Sequence, residues 1–167
     1  WDFTPPVMKE NPLGELHDTI IQHAYVCADD FGFQNYTLSM LNLWINVNKK
    51  GNSNASHTHP GAVLSGVYYL SLPSCCYGNL IFQRNPVDQH LRESWGCSDN
   101  FDRYNDLLAD EYDIYPEEDR LIIFPSWLTH RVDPSAGDGE RISISFNIVA
   151  HSNFYHEIYP KGRDNRE

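Results

Sequence analysis

Residues 141–148 alternate strictly between polar and apolar side chains, and this pattern constrains the fold more than any other feature. The even positions carry Ile or Phe, whereas the odd positions carry Arg, Ser or Asn. Successive side chains of a β-strand point to opposite faces, so the segment is predicted to be a strand with one apolar and one polar face. The polar face carries one charge, too few for a face exposed to water. We therefore expect it to line a wet interior.

Other segments extend this pattern to a whole sheet protein. Residues 41–48 alternate Leu, Ile and Val with Asn and Trp, and Lys49-Lys50-Gly51 follows as a turn. Further strands are predicted at 62–72, 79–83 and 120–124, the last ending at Pro125. Polar interior faces and apolar outer faces together predict a mainly β protein, a small antiparallel barrel made of two sheets.

One helix is predicted before the first strand. Apolar residues recur there near the 3.6-residue spacing of a helix, so the helix has an apolar stripe that covers the outside of a sheet. These residues are Leu13, Leu16, Ile20, Ile21, Ala24 and Cys27. We predict a single domain over 1–167, with a lead-in and the covering helix in 1–40, the barrel in 41–150 and a polar tail in 151–167.

Residues 84–119 interrupt the predicted barrel. They are rich in Asp, Asn, Arg and Glu, with aromatic residues scattered among them. Loops of this length in compact domains are usually functional or disordered. Two interpretations stay open: a lid over a substrate, or a surface insertion with a short helix.

Charge and hydrophobicity restrict the kinds of partner that we expect, and the cysteine content indicates a cellular compartment. The net charge of −11 argues against a nucleic acid as partner. The sequence has no apolar run near the ~18 residues of a membrane span, so we expect no membrane contact. The four cysteines, Cys27, Cys75, Cys76 and Cys97, have no spacing typical of a metal knuckle or disulfide framework. Reduced thiols predict a cytoplasmic protein, in a host or bacterial cytosol.

Three histidines are predicted to form a metal site. His57 and His59 are one residue apart, so on a strand both would point to the same face, and His130 would complete three ligands from a second strand. A face of three ligands leaves open positions opposite, as a catalytic metal requires. The sequence has no Asp or Glu between Asp30 and Asp88, so no local carboxylate can join His57.

An anion site is predicted close to the metal. Arg141 and Ser143 lie on the same polar face of the last predicted strand. A guanidinium offers two parallel donors that match a carboxylate, and a hydroxyl adds a third.

These residues carry a resemblance to a known family. The chain resembles the Fe(II)/2-oxoglutarate-dependent oxygenases, in the prolyl-hydroxylase-like branch of the cupin barrels, over roughly residues 41–149. The resemblance implies a double-stranded β-helix, or jelly-roll barrel, with one or two covering helices. The matching motifs are His57-Thr58-His59, Gly66-Val67-Tyr68-Tyr69-Leu70, Phe124-Pro125-Ser126-Trp127-Leu128-Thr129-His130 and Arg141-Ile142-Ser143.

The resemblance also implies a function and a set of site residues. It implies a dioxygenase that uses Fe(II), 2-oxoglutarate and O2 to hydroxylate a peptide, an amino acid or a small metabolite. The implied iron-binding and catalytic residues are His57, His59 and His130. The implied residues around 2-oxoglutarate are Tyr69, Arg141 and Ser143, with Asn46 and Asn147 reaching its chelating end or the substrate.

One position departs from the family pattern. The family normally has Asp where this sequence has His59, so His59 is either a third neutral ligand or lies outside the metal's ligand set. Two alternative functions follow. The first is another metallo-cupin, a three-His dioxygenase or isomerase that uses no 2-oxoglutarate. The second is a non-catalytic barrel that binds a carboxylate or a sugar.

Overall fold

A computed structural model of the chain describes residues 12–73, 78–85 and 109–152. In chain order its elements are α1 (Pro12–Asp30), β1 (Tyr36–Asn48), β2 (Asn54–His57), β3 (Leu64–Ser71), β4 (Leu80–Gln83), β5 (Glu111–Ile114), β6 (Leu121–Pro125), β7 (His130–Val132) and β8 (Arg141–Ser152). Within these ranges no helix is long and apolar enough to cross a membrane.

The strands form two four-stranded antiparallel sheets. Their strand orders are β1-β8-β3-β6 and β2-β7-β4-β5. Strands from distant parts of the chain alternate within each sheet, as in a jelly roll. The predicted mainly β jelly roll is therefore confirmed. The described strands do not close into a hydrogen-bonded barrel, because β1, β6, β2 and β5 each have only one neighbour.

Strand β8 lies at the centre of the first sheet, and a bulge in β1 keeps its apolar residues on the outer face. The register of β1 on β8 shifts between Met40 and Asn42. Leu38 and Met40 before the shift, and Leu43 after it, therefore all pack on the same core. Without the extra residue, the two halves of β1 would present apolar side chains to opposite faces.

Helix α1 covers the outer face of this sheet, as its apolar stripe predicted. Ile20, Ala24 and Ala28 of the helix are fully buried. The strand residues in the same core cluster are Leu38, Leu64, Phe146 and Ile148. The burial is stabilising because apolar surface leaves water on both sides of the contact.

The five strands predicted from the sequence are present as β1, β3, β4, β6 and β8. Strands β2, β5 and β7 were not predicted. Each has three or four residues and, unlike β4, contains no run of apolar side chains that would predict a strand.

The structure differs from the predicted boundaries, or describes only part of the predicted segment, at three places. Strand β1 begins at Tyr36, ahead of the expected start of the barrel at 41. Of the insertion 84–119, residues 86–108 lie outside the described residues, and Glu111–Ile114 forms β5 beside β4. Strand β8 continues to Ser152. The rest of the predicted tail, 153–167, also lies outside the described residues.

Candidate functional site

Two of the predicted metal ligands are cross-strand neighbours. His57 ends β2 and His130 begins β7, and the antiparallel register places these residues opposite each other. Their ring centroids are 4.3 Å apart. The two short strands that the sequence did not predict are therefore the elements that bring the first and third histidines together.

The third histidine lies beyond the strand. Strand β2 ends at His57, so His59 is not on the strand as the His-x-His spacing predicted. Its backbone N–H donates to the carbonyl of Ser126 at 2.9 Å, which fixes His59 against the segment that leads to His130. Its Nε2 lies 3.3 Å from Nε2 of His130. Two imidazole nitrogens that share one metal ion lie about 3 Å apart, given metal–nitrogen bonds of about 2.1 Å.

Hydrogen bonds orient two of the rings. Nδ1 of His57 lies 2.7 Å from the carbonyl of Ala55, and Nδ1 of His130 lies 2.9 Å from that of Leu128. A carbonyl only accepts, so in both rings Nδ1 carries the proton and donates. This leaves Nε2 with a free lone pair in each neutral ring, the usual arrangement of a metal-binding histidine. One ligand atom from each of His57, His59 and His130 lies within 4.8 Å of the others, so together they could hold a metal ion.

The surroundings of His59 and His130 favour the neutral form of these two rings. His130 is 4% exposed, and the ring of Phe124 lies 4.7 Å from its ring, edge to face. Burial is the main reason that the pKa of His130 falls to about 4; the bond to Leu128 opposes the fall, and His57 and His59 add to it. Burial, and then His57, also lower the pKa of His59. A neutral imidazole is the form that binds a metal.

Arg141 is a buried cation without a carboxylate partner in the described part of the chain. It is 3% exposed and begins β8, opposite Asn48 at the end of β1. Its Nη1 donates to the carbonyl of Gly78 at 2.7 Å, and its Nη2 donates to Oδ1 of Asn48 at 3.0 Å. Its Nε is buried and has no hydrogen-bond partner among the described residues. Because a buried charge is costly unless it is paired, this guanidinium could hold an anionic ligand.

Tyr69 and Ser143 lie beside Arg141. They are opposite each other on β3 and β8, and both are buried. Neither hydroxyl makes a hydrogen bond to a described residue. Burial raises the pKa of Tyr69, and the nearby charges of Arg141 and Arg120 oppose the rise. A neutral phenol, a hydroxyl and a guanidinium thus offer donors to one carboxylate.

The two predicted asparagines have different surroundings. Asn46 lines the pocket, accepts from Nε1 of Trp44 at 3.2 Å and donates to Oγ of Ser145 at 2.9 Å. Asn147 is not among the residues that line the pocket. Its side chain accepts from Ser65 at 2.7 Å and donates to Asn42 at 2.9 Å.

The hydrogen bonds around Asn147 support the site from outside the pocket. Oγ of Ser65 also lies 2.7 Å from Oγ of Ser126, and both serines are buried. The carbonyl of Ser126 accepts from His59. The asparagine thus connects β8 and β3 with the segment that positions His59.

One pocket is lined by the predicted site residues apart from Asn147. It opens between the two sheets, because β2, β4 and β7 line one side and β1, β3, β6 and β8 line the other. The predicted site residues that line it are His57, His59, His130, Tyr69, Arg141, Ser143 and Asn46. The inward direction of the polar faces of β1 and β8 is confirmed.

Three features of the pocket were missed in the sequence. Asn48 and Gly78 hold the guanidinium of Arg141, and Trp44 lines the pocket with its ring 6.3 Å from that of His59. Asn48 could have been found, because it ends the same alternation that contains Asn46. Nothing in the sequence indicates that the carbonyl of Gly78 approaches Arg141.

Comparisons with known proteins identify the family of this chain. A sequence model of the family described as "Putative 2OG-Fe(II) oxygenase" matches residues 42–147. That segment contains all eight predicted site residues. No curated protein sequence matches the chain.

Solved structures share the fold at low sequence identity. An oxidoreductase of the 2OG-Fe(II) oxygenase family from Burkholderia pseudomallei is similar at a TM-score of 0.57 and 15% identity, over 83% of this chain and 59% of that one. A Pseudomonas putida prolyl-4-hydroxylase gives 0.52 and 15%, over 83% and 68%. HygX from Streptomyces hygroscopicus, solved with nickel and 2-oxoglutarate bound, gives 0.51 and 13%, over 79% and 66%. This chain thus spans 59 to 68% of the length of these three.

Proposed function

This chain belongs to the 2OG-Fe(II) oxygenase family, and from that premise we propose that it is an Fe(II)- and 2-oxoglutarate-dependent dioxygenase that hydroxylates its substrate. The observation that carries this proposal is the buried guanidinium of Arg141, in the same pocket as the three imidazoles. Its Nε has no hydrogen-bond partner in the described part of the chain. A metal site alone would not need a buried cation. A metal-chelating dicarboxylate needs both.

The described residues fit both groups. Three imidazoles supply nitrogen ligands of a kind that suits iron, and their Nε2 lone pairs are free in two of the rings. When bound, Fe(II) and 2-oxoglutarate supply the oxidative chemistry, in which the co-substrate loses CO2 and the substrate is hydroxylated.

The protein's own residues bind and orient in this proposal. Arg141, Ser143 and Tyr69 hold the distal carboxylate of 2-oxoglutarate, and Asn48 and Gly78 keep the guanidinium in place for it. Phe124 excludes water from one side of His130. Asn46 lies on the polar wall of the pocket, where it can contact the chelating end of the co-substrate or the substrate.

We propose a peptide, an amino acid or a small metabolite as the substrate, with O2 as the oxidant and neither a nucleic acid nor a membrane as partner. The net charge of −11 supports the exclusion of nucleic acid. A cytoplasmic location is part of the same proposal, and it is supported by Cys27, which is a free cysteine. Fractionation of cells that express the tagged chain tests the location.

Arg141→Ala tests the proposed function directly. We expect the parent chain to release succinate from 2-oxoglutarate in a reaction that depends on O2 and Fe(II). The Arg141→Ala variant loses a charge-assisted pair worth about 2 to 5 kcal/mol, so its affinity for 2-oxoglutarate falls at least about thirtyfold. Calorimetric binding of 2-oxoglutarate accompanies the assay, because turnover without the prime substrate can be slow.

Arg120→Ala is the matched control. Arg120 is also close enough to Tyr69 to influence its pKa, but its guanidinium pairs with Glu117 at the surface, and its side chain is 40% exposed. This variant should bind 2-oxoglutarate like the parent chain. Equal binding by the parent chain and Arg141→Ala would contradict the proposal.

The neutral residue at position 59 favours one second candidate, a three-His dioxygenase or isomerase that uses no 2-oxoglutarate. This candidate explains His59 but leaves the buried Nε of Arg141 without a role. One binding experiment distinguishes the two functions. A chain that binds a divalent metal but not 2-oxoglutarate is the second kind of enzyme.

A further inference from the structure

The lining of the pocket has an uneven charge balance. Among the described residues that line it, Arg141 is the only one with a permanent charge, and none is an Asp or a Glu. The whole chain, in contrast, carries a net charge of −11. The acidic residues are thus kept out of the described lining.

The residues that support the histidines bring no negative charge either. His57 and His130 donate to main-chain carbonyls, where many metal-binding histidines donate to a carboxylate. Tyr69 does not offset Arg141, because burial raises the pKa of its phenol and keeps it neutral. Within the described lining, the charge of the loaded pocket therefore comes from the metal, the co-substrate and Arg141.

Counted over the described lining, one positive charge remains when the proposed metal and co-substrate are bound. A divalent ion and the guanidinium bring three positive charges, and 2-oxoglutarate brings two negative ones. An Asp at position 59 would cancel the remainder, but the neutral ring of His59 does not. In a partly dry pocket an unbalanced charge attracts a counter-ion much more strongly than it would in water.

We propose that the pocket binds a monovalent anion beside the metal, and that His59 sets this preference by being neutral at a position where Asp would be charged. This inference rests on the proposed function. The anion is a small group with a single negative charge, either the acid group of the prime substrate or a free inorganic anion. On this account, a carboxylate-bearing substrate binds better than its neutral amide.

A matched pair of probes tests the preference in the parent chain. Formate and formamide have nearly the same size, but only formate is charged. With Co(II) and 2-oxoglutarate both saturating, calorimetry should give a dissociation constant for formate at least tenfold below that for formamide. Chloride, titrated in the same way, separates the two sources: binding of formate alone indicates a carboxylate of the substrate, and binding of chloride as well indicates a free anion. Equal binding of formate and formamide would overturn the inference.

The His59→Asp variant tests the assigned residue. The new carboxylate should weaken formate at least tenfold, because a like charge at contact distance costs several times the thermal energy even at a moderate dielectric constant. His151→Asp makes the same change on an exposed strand end, where Nε2 of His151 lies 2.8 Å from Oγ of Ser39, and it should leave formate binding unchanged. Unchanged formate binding in His59→Asp would contradict the role of His59.

Failure of the inference and failure of the proposed function give different results. If the parent chain does not bind Co(II) or 2-oxoglutarate, the proposed function is wrong. If it binds both but does not prefer formate to formamide, only the anion site is wrong. If circular dichroism shows that His59→Asp is unfolded, the comparison of formate with formamide in the parent chain still tests whether the anion site exists.

Discussion

At the scale of single residues, the site depends on polar groups that the fold buries with no partner or with a main-chain partner. Arg141 is held by a carbonyl and an amide rather than by a carboxylate. His57 and His130 are each oriented by a carbonyl two residues earlier in the chain. These contacts fix the positions of the side chains and leave their ligand-binding atoms free, which is the arrangement that a preorganised binding site requires.

His130 should make the metal-free protein less stable in mild acid. Its pKa is lowered to about 4 from the ordinary 6.5, first by burial. Between these two values the unfolded chain binds a proton at His130 and the folded chain does not, so the free energy of unfolding falls as the pH falls through this window. The loss amounts to about 2 to 3 kcal/mol.

Urea denaturation of the metal-free chain at pH 7 and pH 4.5 measures this effect. The His130→Gln variant has no titrating ring at this position, so its stability should change less between the two pH values than that of the parent chain. The same dependence in both proteins would show that His130 is not buried in its neutral form.

At the scale of elements, the site needs strands that pack closely around β3. Gly66 lies on β3 between β8 and β6. A Cβ at this position would collide with the ring of Phe146 and with the main-chain carbonyl oxygen of Ile122. A strand backbone cannot move away from such a contact without losing its own pairing, so only glycine fits.

The Gly66→Ala variant should therefore be destabilised by about 3 kcal/mol or more, since it adds overpacking against backbone atoms. Gly51→Ala is the comparison. Gly51 has a φ of 81° with open space around it, so its substitution costs only the left-handed conformation, about 1 to 2 kcal/mol. Denaturant titration measures both, and a smaller loss for Gly66→Ala than for Gly51→Ala would show that β3 does not pack as described.

At the scale of the whole molecule, alternation in the sequence predicted the long strands and the direction of their polar faces. The regular pattern of residues 141–148 was sufficient to place Arg141 and Ser143 in the interior, because the period of a strand is two. The spacing of His57, His59 and His130, with no acid nearby in the sequence, was sufficient to predict a metal site.

Other features depend on contacts that the sequence does not encode locally. The bulge between Met40 and Asn42 becomes necessary only when β1 pairs with β8. The position of His59 beyond the end of β2 is set by the carbonyl of Ser126, about seventy residues away in the chain. Asn147 has the same alternation as Ser143, yet its amide is used by Ser65 and Asn42.

The central claim is that a metal held by three imidazoles and the guanidinium of Arg141 bind one 2-oxoglutarate molecule together. The melting temperature of the chain with and without 2-oxoglutarate, measured with a divalent metal and again in excess chelator, tests this most directly. A ligand that binds only the folded, metal-loaded protein stabilises it by mass action. We predict that 2-oxoglutarate raises the melting temperature in the presence of the metal and leaves it unchanged in chelator, whereas equal shifts in both would contradict the claim.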